Sequence, residues 1–170
     1  MGMTLCEVIQ DQFAARLDQA VQDVFATMLG VECSVVDTLA ASPGQESISV
    51  LIGLAGVISG SCMLHADRSS SRRIAGLLTG MDSAGEDTVK DALGEVCNMV
   101  AGTWKRCIPE LASLCMLSPP TVISGSDYSL HSMPGDLRMQ RCYTITNHEN
   151  RAAFAFMLHC TDGQQGLERT

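Results

Sequence analysis

Apolar residues recur at spacings of three and four through Leu5, Val8, Ile9, Phe13, Leu17, Val21, Val24, Phe25 and Met28. That is the period of a helix with one buried stripe. The spacing predicts a helix over 4–29 with Gly30 as its C-cap. Residues 31–39 are rich in β-branched side chains and read as a strand. Ser42-Pro43-Gly44-Gln45 reads as a turn, and residues 48–54 and 57–64 as two strands around a tight bend. Asp67-Arg68-Ser69-Ser70 opens a short helix whose stripe is Ile74, Leu77 and Leu78, ended by Gly80. Residues 82–87 form a polar linker. A longer helix follows over about 86–107, stopped by Pro109 and the restricted residue before it. Residues 114–117 and 121–124 flank Ser118-Pro119-Pro120 and read as an extended segment at a sheet edge. After a loop over 125–137 come two last strands, 139–146 and 152–160, joined by a turn at 147–150.

Short turns between successive strands imply a mostly antiparallel sheet. The fold class expected is α+β, with the helices packed on that sheet. A helix followed by strands occurs in each half, a weak twofold echo. At 170 residues the chain is the size of one domain, expected over 1–170 with a core of about 4–160 and a loose polar tail at 161–170.

Charge narrows the partners. Eleven Lys+Arg against nineteen Asp+Glu leave a net −8. Such a chain lacks the cations that nucleic-acid phosphates and anionic membranes demand. It suits a partner with a basic face. The 20 residues between Glu46 and Asp67 carry no formal charge. They are long enough to span a bilayer, yet their three glycines and four serines fit the hairpin instead. No basic segment followed by an apolar run opens the sequence, so no signal peptide is read and a cytoplasmic location is expected. The eight cysteines form no Cys-x-x-Cys pair, and the four histidines no i, i+4 pair. Buried thiols in a reducing compartment, and no metal site or cofactor, are the expectation.

The segment that carries chemistry is residues 91–105. On a helix, Leu93, Val96, Cys97, Val100 and Trp104 share one side. Asp91, Glu95, Asn98 and Gly102 share the opposite side, at spacings of four, three and four. Glu95 and Asn98 then project one turn apart. A carboxylate can hold a cation such as a lysine ammonium. A carboxamide is no general base, but by hydrogen bonding it can position a water, which is much of what phosphoryl transfer requires. The four-residue pattern alone equally describes a solvated helix face. Gly94 and Gly102 each cost about 1 kcal/mol against alanine inside a helix; close approach of another surface, or tight packing within the domain, would explain them.

The context Asp91-Ala92-Leu93-Gly94-Glu95-x-x-Asn98-Met99-Val100-Ala101-Gly102 resembles the signature of the CheX branch of the CheC/CheX/FliY chemotaxis phosphatases. Residues 53–64 resemble that family's glycine-bearing hairpin, 74–80 its next short helix, 117–125 the proline-containing strand after the motif helix, and 25–29 the end of its first helix. The likeness spans about 10–160. It implies a phosphatase for the phospho-aspartate of a CheY-like response regulator. By this resemblance Asn98 orients the attacking water and Glu95 pairs with the receiver's active-site lysine. Asp91, Gly94 and Gly102 then border the partner. The resemblance also implies that the chain brings no metal, that Mg2+ sits on the receiver, and that the protein is a homodimer. Two departures stand out. CheC-type members carry a second motif, whereas the first helix here has only Glu7-x-x-Gln10. The family often has Asn after the helix glycine, where this chain has Thr103 and then Trp104. The rival reading is a non-catalytic module of the same fold that binds a receiver or another signalling partner.

Overall fold

The computed structural model describes residues 5–40, 44–129, 131, 135, 137–147 and 150–163. Helix α1 (Leu5–Val24) runs into a π turn at Phe25–Leu29. Strand β1 is Cys33–Val36, and β2 (Ser47–Gly56) and β3 (Ile58–Asp67) form the hairpin. Helix α2 (Arg68–Thr79) and helix α3 (Glu86–Arg106) follow, then a single turn α4 (Pro109–Ala112). Strands β4 (Cys115–Leu117), β5 (Thr121–Gly125), β6 (Leu137–Asn147) and β7 (Asn150–Asp162) complete the chain. The class is α+β, as expected. The expected tail beyond residue 163 and the tip of the last turn, His148 and Glu149, lie outside the described residues.

Every strand pair is antiparallel, in the order β1-β6-β7-β3-β2-β4, with β5 also on β2. Register assigns the faces. Val50 lies opposite Leu64, Leu64 opposite Phe156, and Phe156 opposite Arg141. With the period of two, Ile48, Val50, Ile52 and Leu54 turn together toward the helices and are buried. Phe13, Leu17, Phe25, Val96, Cys97, Val100 and Trp104 meet them from the helix side, in one core. The ring of Phe13 meets Trp104 edge-on at 5.2 Å, and Phe25 stacks on Phe154 at 4.7 Å. The opposite face carries Leu51, Met63 and Met157 at the bottom of a concavity of about 920 Å³.

Local chemistry sets the helix ends. Asp67 caps α2 by accepting from the Ser70 N–H at 2.6 Å. Gly30 and Gly80 end α1's π turn and α2 in the left-handed region that glycine tolerates, at φ 68 and 71. Glu86 and Asp87 in the first turn of α3, and Lys105 and Arg106 in its last, complement the helix dipole. Ile108 is extended before Pro109, which ends α3 and begins α4 at a position where no N–H is needed.

Three expectations are adjusted. The helix expected over 4–29 changes to a π turn for its last five residues. The strand expected over 31–39 is shorter, because only Cys33–Val36 finds a partner, in β6. Residues 109–112 make a helical turn that no periodicity announces in so short a span.

Candidate functional site

Helix α3 sits against α1 on one side and α2 on the other, and its inner face lies on the sheet. Cys97 Sγ donates to the Val50 carbonyl at 3.7 Å. Hydrogen bonding with Cys97 and burial push the Cys62 thiol well up, so Cys62 stays protonated and acts as a packing group. Trp104, expected on the Val100 side, is fully buried. The inner face is therefore fixed by packing.

The outer face differs. Asp91, Glu95 and Asn98 are exposed, and Gly102 is half-buried. None of the three side chains has a hydrogen bond or ion pair among the described residues. Residues three apart on a helix have Cβ atoms about 5–6 Å apart, so the Glu95 carboxylate and the Asn98 carboxamide form one polar pair. Around a Cβ built on Gly102 nothing lies within 4 Å. This glycine leaves a notch one turn beyond Asn98.

Gly94 does not share that exposure. It is buried, and a Cβ there would meet Pro120 at 3.5 Å. Gly94 thus packs within the domain at an ordinary contact distance that an alanine would also tolerate, whereas Gly102 faces open space. Pro120 is placed by a break in the sheet edge. β4 pairs with Leu54–Gly56 and β5 with Ser47–Leu51, and Ser118-Pro119-Pro120 crosses between them. Prolines cannot donate to a ladder. Ser118 stands in: its N–H donates to the Gly53 carbonyl at 2.9 Å, and its hydroxyl accepts from the Gly53 N–H at 2.8 Å. The kink thus anchors on β2 and brings Pro120 over the turn of α3 that carries Glu95.

Thr103 is half-buried, and its hydroxyl accepts from Arg106 Nη2 at 3.1 Å. Among the described residues no cluster of three or more metal-ligating side chains occurs, and seven cysteines are free thiols. Among the described residues no helix is long and apolar enough to cross a membrane.

The model of the family described as "Chemotaxis phosphatase CheX" matches residues 48–146, more than half of the chain and the part that builds the hairpin, α3 and the kinked edge. The chain belongs to the CheX family. Solved structures share its fold. The chemotaxis protein CheX from Vibrio vulnificus superposes with a TM-score of 0.68 at 23% identity, over 85% of this chain and 95% of that one. The CheX of the CheX–CheY–BeF3–Mg2+ complex from Borrelia burgdorferi gives 0.68 at 18% identity, over 88% and 98%. FliY from Thermotoga maritima gives 0.64 at 17%, over 92% of each. No curated protein matches the sequence.

Two residues beside the candidate pair, Pro120 and Lys105, are not among the site residues expected from the sequence. Pro120 was recognised as a strand breaker; that it covers Gly94 depends on a long-range contact. Lys105 continues the outer stripe, three residues past Gly102. That signal, the same three-and-four spacing, was present in the sequence.

Proposed function

We propose that this chain is a phosphatase that hydrolyses the aspartyl phosphate of a CheY-like receiver domain. One observation carries the reading: Glu95 and Asn98 stand side by side on the exposed face of a helix held rigidly from behind, and neither is used inside the fold. The family to which the chain belongs, and a relative solved with CheY and Mg2+, support the substrate class.

In this mechanism the helix lies across the receiver's phosphorylation site. Glu95 accepts a hydrogen bond from the receiver's lysine and fixes the docking. The Asn98 carboxamide holds a water in line with the phosphorus, opposite the aspartyl oxygen. The water oxygen bonds to phosphorus as the bond to the aspartyl oxygen breaks, leaving inorganic phosphate and a free aspartate. An amide accepts no proton, so Asn98 contributes orientation rather than base catalysis. Mg2+ would be held by acids of the receiver, not of this chain, and the cation would offset the charge of the transferring group.

The protein acts in the cytoplasm in this reading and pairs as a homodimer, for which the edge strands β1 and β4 offer unpaired ladder groups. Steady-state phosphate release from a panel of phosphorylated receivers tests it. Wild-type protein accelerates release from at least one receiver, Asn98→Ala abolishes the acceleration, and Glu95→Ala weakens the affinity. A receiver that binds without any acceleration would make the chain a binding module instead.

A further inference from the structure

The outer stripe of α3 is longer than the motif and graded in charge. Read along the helix it runs Asp87, Asp91, Glu95, Asn98, Gly102, Lys105, at spacings of three and four throughout. Its first half is acidic, its middle neutral and its end basic. At 1.5 Å per residue, Glu95 and Lys105 lie about 15 Å apart along the axis, with Asn98 and the Gly102 notch between them.

Lys105 differs from its neighbour. Arg106 lies off the stripe and is held by the Thr103 hydroxyl at 3.1 Å. Arg68 lies between Glu46 and Glu86, and Arg141 against Asp18. The Lys105 side chain has no ion pair or hydrogen bond among the described residues. Long side chains on a helix lean toward its N-terminus. Lys105 itself is half-buried and its charge acts on the Cys115 thiol of β4, while nothing lies within 4 Å of a Cβ at Gly102, so the notch between Lys105 and Asn98 is open.

We propose that Lys105 is a docking residue for the receiver: it pairs with a carboxylate at the rim of the phosphorylation site, opposite in sign to the Glu95 contact. This rests on the phosphatase reading. A partner that holds Mg2+ must supply carboxylates, and it offers one lysine to Glu95. Two contacts of opposite sign on either side of Asn98 admit one direction of the receiver along α3 and reject the reverse, where like charges meet. Lys105 touches no reacting atom. It acts on how tightly and in which direction the receiver docks, not on the step at Asn98.

The test is phosphate release against receiver concentration for wild type, Lys105→Ala, Lys105→Glu, Lys105→Arg and Asn98→Ala, with thermal unfolding in parallel. An exposed charge pair of ordinary strength predicts KM raised about threefold to fivefold in Lys105→Ala and about tenfold in Lys105→Glu, with kcat kept. Lys105→Arg restores KM, and about 0.5 M salt shrinks the differences. An unchanged KM in Lys105→Glu, with or without a lowered Tm, overturns the proposal. So does a fall in kcat at unchanged KM, which would put Lys105 on the phosphoryl group. If Asn98→Ala has lost turnover in the same experiment, the phosphatase reading survives either result. If Asn98→Ala turns over like wild type, that reading fails first.

Discussion

Helices α1 and α3 are the two long helices of the fold, packed against each other on the same sheet, and they use their polar residues in opposite ways. On α1, Asp18 is spent inside the molecule. Its carboxylate accepts from Arg141 Nε at 3.0 Å, from Arg141 Nη2, and from the Tyr143 hydroxyl at 2.7 Å. Its side chain is 19% exposed and that of Arg141 33%. On α3, the Glu95 carboxylate can accept, and the Asn98 carboxamide can donate and accept, yet neither has a side-chain partner among the described residues. A half-buried acid with three hydrogen bonds ties a helix to its sheet. An exposed acid and amide on an otherwise well-packed helix add nothing to the fold and remain available to a second molecule.

The contrast predicts two separable phenotypes. Asn98→Ala should remove the acceleration of receiver dephosphorylation, a loss on the order of 100-fold or more, the scale of losing correct placement of a reacting group. Its unfolding free energy should stay within about 0.5 kcal/mol of wild type, as for other exposed substitutions. Asp18→Ala should do the reverse. Removing one partner of a partly buried ion pair leaves the Arg141 guanidinium and the Tyr143 hydroxyl uncompensated, at a cost of about 2 kcal/mol in denaturant unfolding. Turnover well below the melting temperature should be kept. If Asp18→Ala abolished turnover in a fully folded protein, the division between the two helices would fail.

The two glycines of α3 sharpen the comparison within one helix. Gly102→Ala gains helix propensity and meets no atom within 4 Å, so it should stabilise the fold by about 1 kcal/mol. If the notch receives the receiver, the same change should reduce activity. Gly94→Ala brings a Cβ to 3.5 Å from Pro120, an ordinary contact. Its stability should rise by about 1 kcal/mol or less, with activity unaffected. Thermal unfolding and phosphate release on the two variants separate the roles.

The smallest effects concern pH. Burial, and then the charge of Asp18, push the Cys33 thiol up to about 11. Burial, and then the hydrogen bond to Asp18, hold the Tyr143 hydroxyl well above its ordinary 10.0. Both groups are raised, so their contribution to stability is complete below the unfolded values, 9.0 for the thiol, and falls as pH rises beyond them. His65 moves the other way. It is half-buried, its Nδ1 lies 2.8 Å from the Ser49 hydroxyl, and burial lowers its pKa from 6.5 against the opposing charge of Asp67. Its neutral form is favoured in the fold, so stability falls as pH drops below 6.5. Unfolding across pH should therefore show a shallow acid-side loss that a His65→Gln variant flattens. It should also show an alkaline loss beginning near 9.0, the ordinary thiol value.

The elements most legible in the sequence were those whose signals are local. The stripe of α1, the Asp67 cap, the glycine stops and the two faces of α3 all follow from spacing within a few turns. The exposure of Glu95 and Asn98 belongs to this class, although their spacing alone equally fits a solvated face and it is the resemblance of the surrounding segment that singles them out. What stayed hidden depends on distant partners. β1 is short because β6 pairs with only four of its residues. Gly94 is buried because Pro120, 26 positions away, arrives over it from a kinked edge. Ser118 replaces a ladder bond only because Gly53 lies opposite. No local pattern encodes these.

The most direct test is single-turnover decay of a phosphorylated receiver with this protein in excess, for wild type and Asn98→Ala, alongside binding of each to the same receiver. The phosphatase reading predicts rapid decay with wild type, decay no faster than the receiver alone with Asn98→Ala, and similar binding of both. Decay as rapid with Asn98→Ala as with wild type would contradict it, and would move the chemistry away from the exposed face of α3.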